Sequence, residues 1–216
     1  MARVPSLFAP LTLPRRNRLD PVRPDLRTRY LIVLVLAALA AGIGSTWAVL
    51  GEKPPVGAVK LGPWQSFPRL GSADIDPYGR ALLARGPHLP LATGEGIQLN
   101  AATDSAGATL SGSCRYRISG TTLPSRGWTM VVANGASRPL TGTDASGLTD
   151  ADVLTDEAGK LSITASPQVS SGNWLRLPQQ ARFELILRFY DTPISSSISQ
   201  LDPAALPRID RLACEG

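Results

Sequence analysis

The sequence is poor in the side chains that most often carry chemistry. It contains one histidine and two cysteines in 216 residues. The histidine, His88, lies in a Gly-Pro-His-Leu-Pro segment, and the chain has no Gly-x-Ser-x-Gly elbow, so we expect no Ser-His-Asp triad. A single histidine without a Cys-x-x-Cys pair also argues against a metal site. Since no glycine-rich phosphate loop follows a strand, the sequence predicts no catalytic residue, no cofactor and no bound metal.

A long run without charge is the most informative segment that is present. Residues 30–50 contain no charged side chain. A helix of this length spans about 30 Å, the thickness of the hydrocarbon core of a bilayer. The run is longer than the apolar region of a signal peptide, and no small-x-small cleavage site closes it. It therefore predicts a transmembrane helix that acts as an uncleaved signal anchor, rather than a cleaved signal peptide or a buried core helix.

The distribution of charge predicts the orientation of this helix. Residues 1–29 contain seven arginines and two aspartates, a net charge of +5, which equals the net charge of the whole chain. Residues 30–216 are therefore neutral, so a basic surface for nucleic acid is not expected. By the positive-inside rule, we expect a cytoplasmic N-terminus and a C-terminal domain on the other side of a membrane that the chain crosses once.

The chain divides into four predicted segments. Residues 1–29 are rich in proline and poor in apolar residues, and we expect a disordered basic cytoplasmic leader. The transmembrane helix occupies residues 30–50, and a linker rich in glycine and proline follows over 51–62. Residues 63–216 remain for one extracytoplasmic domain, a length that suits a single hydrophobic core.

Short alternating runs separated by turn residues predict strands in this domain. In Arg182–Tyr190, alternate positions from Phe183 to Phe189 are apolar, which is typical of a strand with one buried side. Further strands are expected at Leu110–Ile118, Trp128–Ala133, Leu161–Ala165 and Ile209–Cys214.

Helix signals are fewer. Asp76 is a suitable N-cap, Pro77 suits the first turn, and Gly86 suits the residue beyond the C-terminus. A second short helical segment is expected around 150–154. The prediction is an all-β fold, an antiparallel β-sandwich with one or two short helices, preceded by the single transmembrane helix.

Several segments of the domain resemble a known family. The most specific block is Asn173–Pro178 running into Phe183–Pro193. The other segments that carry the resemblance are Tyr78–Ala81, Asp104–Gly112, Cys114–Tyr116, Trp128–Thr129 and Glu157–Ile163. Together they resemble the domain-of-unknown-function 1214 family over most of residues 75–212. Val131–Asn134 departs from the aromatic and acidic ending that is more usual at that strand.

The resemblance implies a jelly-roll-like, all-β sandwich and assigns no activity. In longer proteins of this kind, the domain follows a domain of the 1254 family. Short members with their own membrane anchor are similar to bacterial proteins that occur beside a separate 1254-type protein. The resemblance therefore implies a 1254-type envelope protein as the partner of this chain. Together with the charge distribution, it also implies the bacterial inner membrane as the location, with the C-terminal domain in the periplasm.

The two cysteines are expected to pair. Both Cys114 and Cys214 lie in the predicted periplasmic part, where disulfides persist. Cys114 falls on the apolar side of its predicted strand, so a bond to Cys214 would fasten the C-terminal strand to the core. The alternative is two unpaired thiols, one of them buried and inert.

Three further residues are candidates for a ligand-binding site or an interface. Asn173 and Trp174 either meet a sugar or apolar ligand, or lock a loop by filling the end of the sandwich and bonding to backbone. Arg188 lies on the side of its strand opposite the apolar positions, which favours a role in solvent or at an interface. Carboxylates are concentrated between residues 144 and 157, which reads as a cation-binding loop or as a solvated acidic loop.

These observations lead to two hypotheses of function. The first is a single-pass, membrane-anchored envelope protein of unknown activity, whose β-sandwich binds a 1254-type protein in the periplasm. The second is an enzyme or a binder of a small carbohydrate or lipid ligand, which uses Trp174 and carboxylates in a deep pocket. Since the chain lacks a recognisable catalytic set, the first hypothesis is favoured.

Overall fold

A computed structural model of the chain describes residues 25–49, 57–85, 91–92, 94–135, 138–142, 146–179, 182–193 and 198–214. It divides into two units, residues 1–46 and 47–216, which are described separately. His88, most of the predicted leader and half of the predicted linker lie outside the described residues.

Helix α1, Leu26–Val49, is 24 residues long. At 1.5 Å per residue its length is about 36 Å, which is enough to cross a bilayer. The side chains described along it are exposed on every side, and none of its apolar stretch is buried. The helix begins four residues before the predicted segment, so that Arg27 and Arg29 form its first turn. It is one N-terminal apolar helix of the length that a membrane span requires.

The remainder folds as a mostly β domain of two sheets. The six-stranded sheet has the order β1-β2-β3-β9-β5-β6, and the four-stranded sheet has the order β10-β4-β7-β8. The first sheet contains β1 Val59–Leu61, β2 Trp64–Ser66, β3 Gly96–Ala101, β5 Gly127–Asn134, β6 Gly147–Thr149 and β9 Phe183–Tyr190. The second contains β4 Cys114–Gly120, β7 Leu161–Ser166, β8 Asn173–Arg176 and β10 Arg208–Cys214. The predicted β-sandwich is confirmed.

The core lies between the two sheets because each strand directs alternate apolar side chains to the same side. From β9 these are Phe183, Leu185, Leu187 and Phe189, all at most 1% exposed. The Phe183 ring meets the Tyr116 ring of β4 edge to face, with 5.8 Å between ring centroids. This contact joins the two sheets at the start of β9.

One neighbouring pair of strands departs from the antiparallel prediction. Strands β7 and β8 are parallel, and Ile163 lies opposite Asn173. The connection between them, residues 167–172, is too short for a crossover helix, and it brings the chain back beside the strand it has just left. The short edge strand β8 therefore depends on side-chain bonds at its start, which are described below.

Both predicted helical segments have a counterpart in the structure. Helix α2 runs from Pro77 to Arg85, and the backbone N–H of Gly79 donates to the Asp76 carboxylate at 3.0 Å. The expected segment near residue 150 is a single 3₁₀ turn, Asp150–Asp152. Strand β1 extends the folded domain back to Val59, within the range for which a linker was predicted, because Val59 and Leu61 alternate with Lys60 and pair with β2.

The C-terminal strand is attached to the rest of the domain at several points. Ser105 donates its backbone N–H to Ile209 O at 2.8 Å, and its Oγ accepts the N–H of Ile209. The buried carboxylate of Asp104 pairs with Arg211 at 3.1 Å. The same guanidinium donates to Thr109 O and lies 5.5 Å from the centroid of the Tyr116 ring. Arg211 thus satisfies a buried charge while it covers the edge of the core.

The two cysteines form a disulfide between neighbouring strands. Cys114 of β4 lies opposite Cys214 of β10 in the antiparallel register, with the two Cα atoms 3.9 Å apart. The bond links positions separated by 100 residues. Its effect on stability is therefore that of closing a long loop in the unfolded chain.

We expect Cys114→Ser to lower the free energy of unfolding by about 2–5 kcal/mol, because the unfolded chain then loses its long-range constraint. Urea denaturation of the full chain in mild detergent, followed by the fluorescence of the buried Trp64 and Trp128, measures this change. A reducing agent should shift the wild-type midpoint by the same amount and leave Cys114→Ser unmoved. An unchanged midpoint on reduction would show that the bond contributes nothing.

Candidate functional site

The outer surface of the six-stranded sheet carries the most organised set of polar side chains. On the three central strands β3, β9 and β5, positions that alternate with the core residues face outward. We call this surface the Arg188 face; it consists of Gln98, Asn100, Thr129, Val131, Ile186, Arg188 and Tyr190. Ile186 is 2% exposed, and the other members are half-buried, so the surface is closely packed.

Arg188 is held in a fixed position on this face. It lies opposite Gln98 in the register of β3 and β9, and its Nε donates to Gln98 Oε1 at 2.9 Å. Gln98 in turn donates from Nε2 to Asn100 Oδ1 at 3.0 Å. A guanidinium has five N–H donors, so the hydrogen bond to Gln98 occupies one of them and orients the planar group. Such a group is suited to bidentate binding of a carboxylate.

Arg188 forms no ion pair with another described residue, and the buried Glu184 lies four residues earlier on the same strand. The ion pairs between described residues join Arg126 to Asp191, Arg208 to Asp210 and Arg211 to Asp104. On the other side of Arg188, the hydroxyls of Thr129 and Tyr190 lie 3.5 Å apart. The face therefore presents a half-buried, oriented cation between hydroxyl and amide groups.

A small cleft borders this face. It lies between β2, β3 and the 3₁₀ turn Pro68–Gly71, and its volume is about 50 Å³. Gln98 and Asn100 belong both to its lining and to the Arg188 face. Pockets for drug-sized molecules have volumes of roughly 300–1,000 Å³, so this cleft suits a few waters or one side chain of a partner.

Asn173 and Trp174 serve the fold. Asn173 Oδ1 accepts the N–H of Leu154 at 2.8 Å, and Nδ2 donates to Leu154 O at 2.7 Å and to Ser162 O at 3.0 Å. The indole N–H of Trp174 donates to the backbone O and the Oγ of Ser166, each at 3.2 Å. These bonds fix the parallel edge strand β8 against β7 and the loop before it, as expected for a pair that locks a loop.

The three candidate residues do not form one site. Arg188 belongs to the six-stranded sheet, whereas Asn173 and Trp174 belong to the edge of the four-stranded sheet. The sequence missed Gln98 and Asn100, which lie in a strand that was not predicted. Their signal was the alternation in Gly96–Ala101, where Ile97, Leu99 and Ala101 are buried.

The acidic segment is organised by bonds to its own backbone. Asp156 Oδ1 accepts the N–H groups of Ala158 and Lys160 at 2.9 and 2.8 Å, which makes a tight turn before β7. Asp104 accepts from Ala106 and Ala108 in the same way in an earlier turn. In the part of the chain that the structure describes, no group of three or more Asp, Glu, His or Cys residues is placed to hold a metal. Asp144 lies outside the described residues.

Asp152 has a perturbed pKa within this segment. The Thr149 hydroxyl donates to Asp152 Oδ2 at 2.7 Å, and the Thr149 backbone N–H donates to the same atom at 2.9 Å. Both bonds favour the ionised form and lower the pKa of Asp152 below its ordinary value of 3.8. Thr149 and Asp152 are the N-cap and N3 residues of the capping box that begins the 3₁₀ turn.

We expect Asn173→Ala to lower the free energy of unfolding by about 1–3 kcal/mol, because Leu154 and Ser162 lose their side-chain partner. Urea denaturation of the full chain in detergent gives the value. Ser162→Ala, on the adjacent strand and with an exposed side chain, is the matched control and should change stability by no more than about 0.5 kcal/mol. An Asn173→Ala variant as stable as the wild type would rule out the locking role.

We expect Thr149→Val to raise the pKa of Asp152 toward 3.8, since it removes the hydroxyl bond that contributes most to the shift. A lowered pKa in the folded state stabilises the fold above the ordinary pKa, and this stabilisation is lost as pH falls through the folded-state value. Carboxyl-carbon NMR titration of aspartate-labelled protein measures the change. Thr155→Val serves as the control, and an equal shift in that variant would contradict the assignment.

Part of this domain matches a known family. Residues 95–194 match the family described as "Protein of unknown function (DUF1214)". No curated protein matches the chain.

The VPA0106 protein from Vibrio parahaemolyticus, a solved structure, is 18% identical, with a TM-score of 0.49 over 65% of this chain and 36% of that one. An uncharacterized protein from Burkholderia cenocepacia is 16% identical, with a TM-score of 0.38 over 56% of this chain and 30% of that one. The chain thus spans about a third of the length of these two solved structures. The resemblance to the DUF1214 family of proteins of unknown function is therefore confirmed over residues 95–194, which include strands β3 to β9.

Proposed function

We propose that this protein is a single-pass membrane protein whose β-sandwich binds a protein partner in the periplasm. The Arg188 face is the binding surface, and a 1254-type envelope protein is the partner. The observation that carries the proposal is the oriented Arg188 guanidinium, held by Gln98 at 2.9 Å and half-buried in a closely packed sheet surface.

The membrane part of the proposal rests on α1. A 24-residue apolar helix with exposed side chains on all sides requires an apolar surrounding, which a bilayer supplies. The arginines before it and the neutral charge of residues 30–216 support a cytoplasmic N-terminus. In this arrangement residues 1–29 form the leader, and the helix is retained as a signal anchor of the inner membrane.

The partner-binding part rests on the chemistry of the Arg188 face. Interfaces are enriched in arginine and tyrosine, and a well-oriented arginine in a desolvated surrounding often dominates the binding energy. Arg188 and Tyr190 lie on one strand and are half-buried, so both offer surface to a partner, whereas Ile186 beside them is already covered. A carboxylate of the partner that reaches Arg188 would find two parallel N–H donors in a fixed orientation.

The second hypothesis, a small-ligand site around Trp174 and carboxylates, receives no such support. Trp174 uses its indole N–H on Ser166, and the cleft beside the Arg188 face is lined neither by Trp174 nor by a carboxylate. The volume of that cleft, about 50 Å³, is also small for a carbohydrate or lipid.

We expect Arg188→Ala to weaken binding of the 1254-type protein by about 30-fold, or ~2 kcal/mol, the scale of an interface residue that dominates affinity. The full chain and the 1254-type protein of the same genome are co-expressed, solubilised in mild detergent and co-purified. Titration of the purified proteins then gives the dissociation constant.

Lys160→Ala is the matched control, because it removes an exposed cation from a turn away from the Arg188 face. It should bind as the wild type does. Recovery of the chain alone under these conditions would contradict the proposed partner. Equal binding by Arg188→Ala and wild type would instead show that the partner uses another surface. Extraction of the chain by alkaline carbonate would contradict the membrane anchor.

A further inference from the structure

The outer surface of the four-stranded sheet is strongly basic. Its charged residues come from three strands: Arg115 and Arg117 of β4, Arg176 of β8, and Arg208 and Asp210 of β10. We call this surface the arginine face. All four arginines are exposed, because each alternates along its strand with a residue that faces the core.

The register of the strands places these residues close together. Arg117 lies opposite Asp210 on one side and Thr164 on the other, and Thr164 lies opposite Trp174. Neighbouring strands are about 4.8 Å apart, and successive outward residues of one strand are about 7 Å apart. The arginine face is therefore a broad surface on which the positive charges lie close together.

The single acid named on this face, Asp210, offsets only part of its positive charge. Arg208 pairs with Asp210 at 3.2 Å, whereas neither Arg115 nor Arg117 forms an ion pair with another described residue. Residues 30–216 are neutral as a whole, and four of their acids lie in the segment 150–157 instead. The positive and negative charges of the domain thus lie in different places, and the arginine face carries an excess of positive charge.

The proposed membrane anchor keeps these cations within reach of one anionic surface, the headgroups of the bilayer. Strand β1 begins ten residues after the last residue of α1. Ten residues of fully extended chain span at most about 36 Å, so a domain tethered to a membrane helix stays within that distance of the bilayer. Tethering raises the effective concentration of headgroups around the domain, and each arginine near an anionic surface contributes about 1 kcal/mol, a fivefold change in binding.

We propose that the arginine face binds the anionic phospholipid headgroups of the membrane that α1 spans. Arginine binds phosphate with paired N–H donors, and Trp174 adds the aromatic residue that membrane–water interfaces favour. The inference depends on the membrane anchorage proposed above and is independent of the protein partner. It leaves the Arg188 face, which belongs to the other sheet, for that partner.

Arginine-directed footprinting tests the proposal. The full chain is reconstituted in nanodiscs of phosphatidylcholine alone, or of phosphatidylcholine with phosphatidylglycerol, and treated with phenylglyoxal. Mass spectrometry then gives the modification rate at each arginine. With the anionic lipid, we expect the rates at Arg115, Arg117 and Arg176 to fall about fivefold or more. Arg138, which is exposed in the loop after β5, is the internal control and should keep its rate.

High salt should restore the modification rates, because it screens headgroup charge. The double variant Arg115→Gln, Arg117→Gln should lose at least half of the protection at Arg176.

Equal modification rates in both lipid compositions would overturn the inference and leave the proposed anchor and protein partner unaffected. Protection that depends on added 1254-type protein and not on lipid would overturn it in favour of a protein-binding surface. A chain that fails to enter nanodiscs of either composition would overturn both the anchorage and this inference.

Discussion

Burial of the apolar side of β9 against the four-stranded sheet is the constraint on which the domain depends. Phe183 and Phe189 are fully enclosed, and β3 and β5 hold this strand by its backbone from both sides. Because side chains alternate along a strand, burying one set fixes the other set on the outer surface. The position of Arg188 is thus determined by the packing of Leu187 and Phe189, and its orientation by Gln98.

The parts of the fold that could be predicted from the sequence are those encoded locally. The alternation in β9 and β7, and the Asp-Pro start of α2, each lie within a few residues, and all three elements are present. Strands β1, β2, β6 and β8 have only three or four residues each, too few for a periodic pattern to show. The parallel pairing of β7 and β8 depends on Asn173 reaching backbone 11 and 19 residues away, which no local pattern reports.

The candidate site was harder to predict than the fold for the same reason. Arg188 could be named because its strand has a strong pattern. Gln98 is 90 residues away in sequence and becomes its neighbour through strand register alone. Asn173 and Trp174 were candidates separate from Arg188, and the topology assigns them to different sheets. Each sheet therefore has an outer surface of its own, one with a single oriented cation and the other with several exposed cations, and the two surfaces suit different partners.

The pairing of β4 with β10 has a consequence for the order of assembly. A growing chain emerges with β4 about one hundred residues before the strand that covers its edge. During that interval the Cys114 thiol and the backbone groups of β4 have no permanent neighbour on that side, and an open edge invites pairing with other chains. Completion of the sheet is therefore a late event in biosynthesis, and the disulfide can form only after it. A chain that stops short of β10 would present both a reactive sulfur and an unprotected strand to other chains.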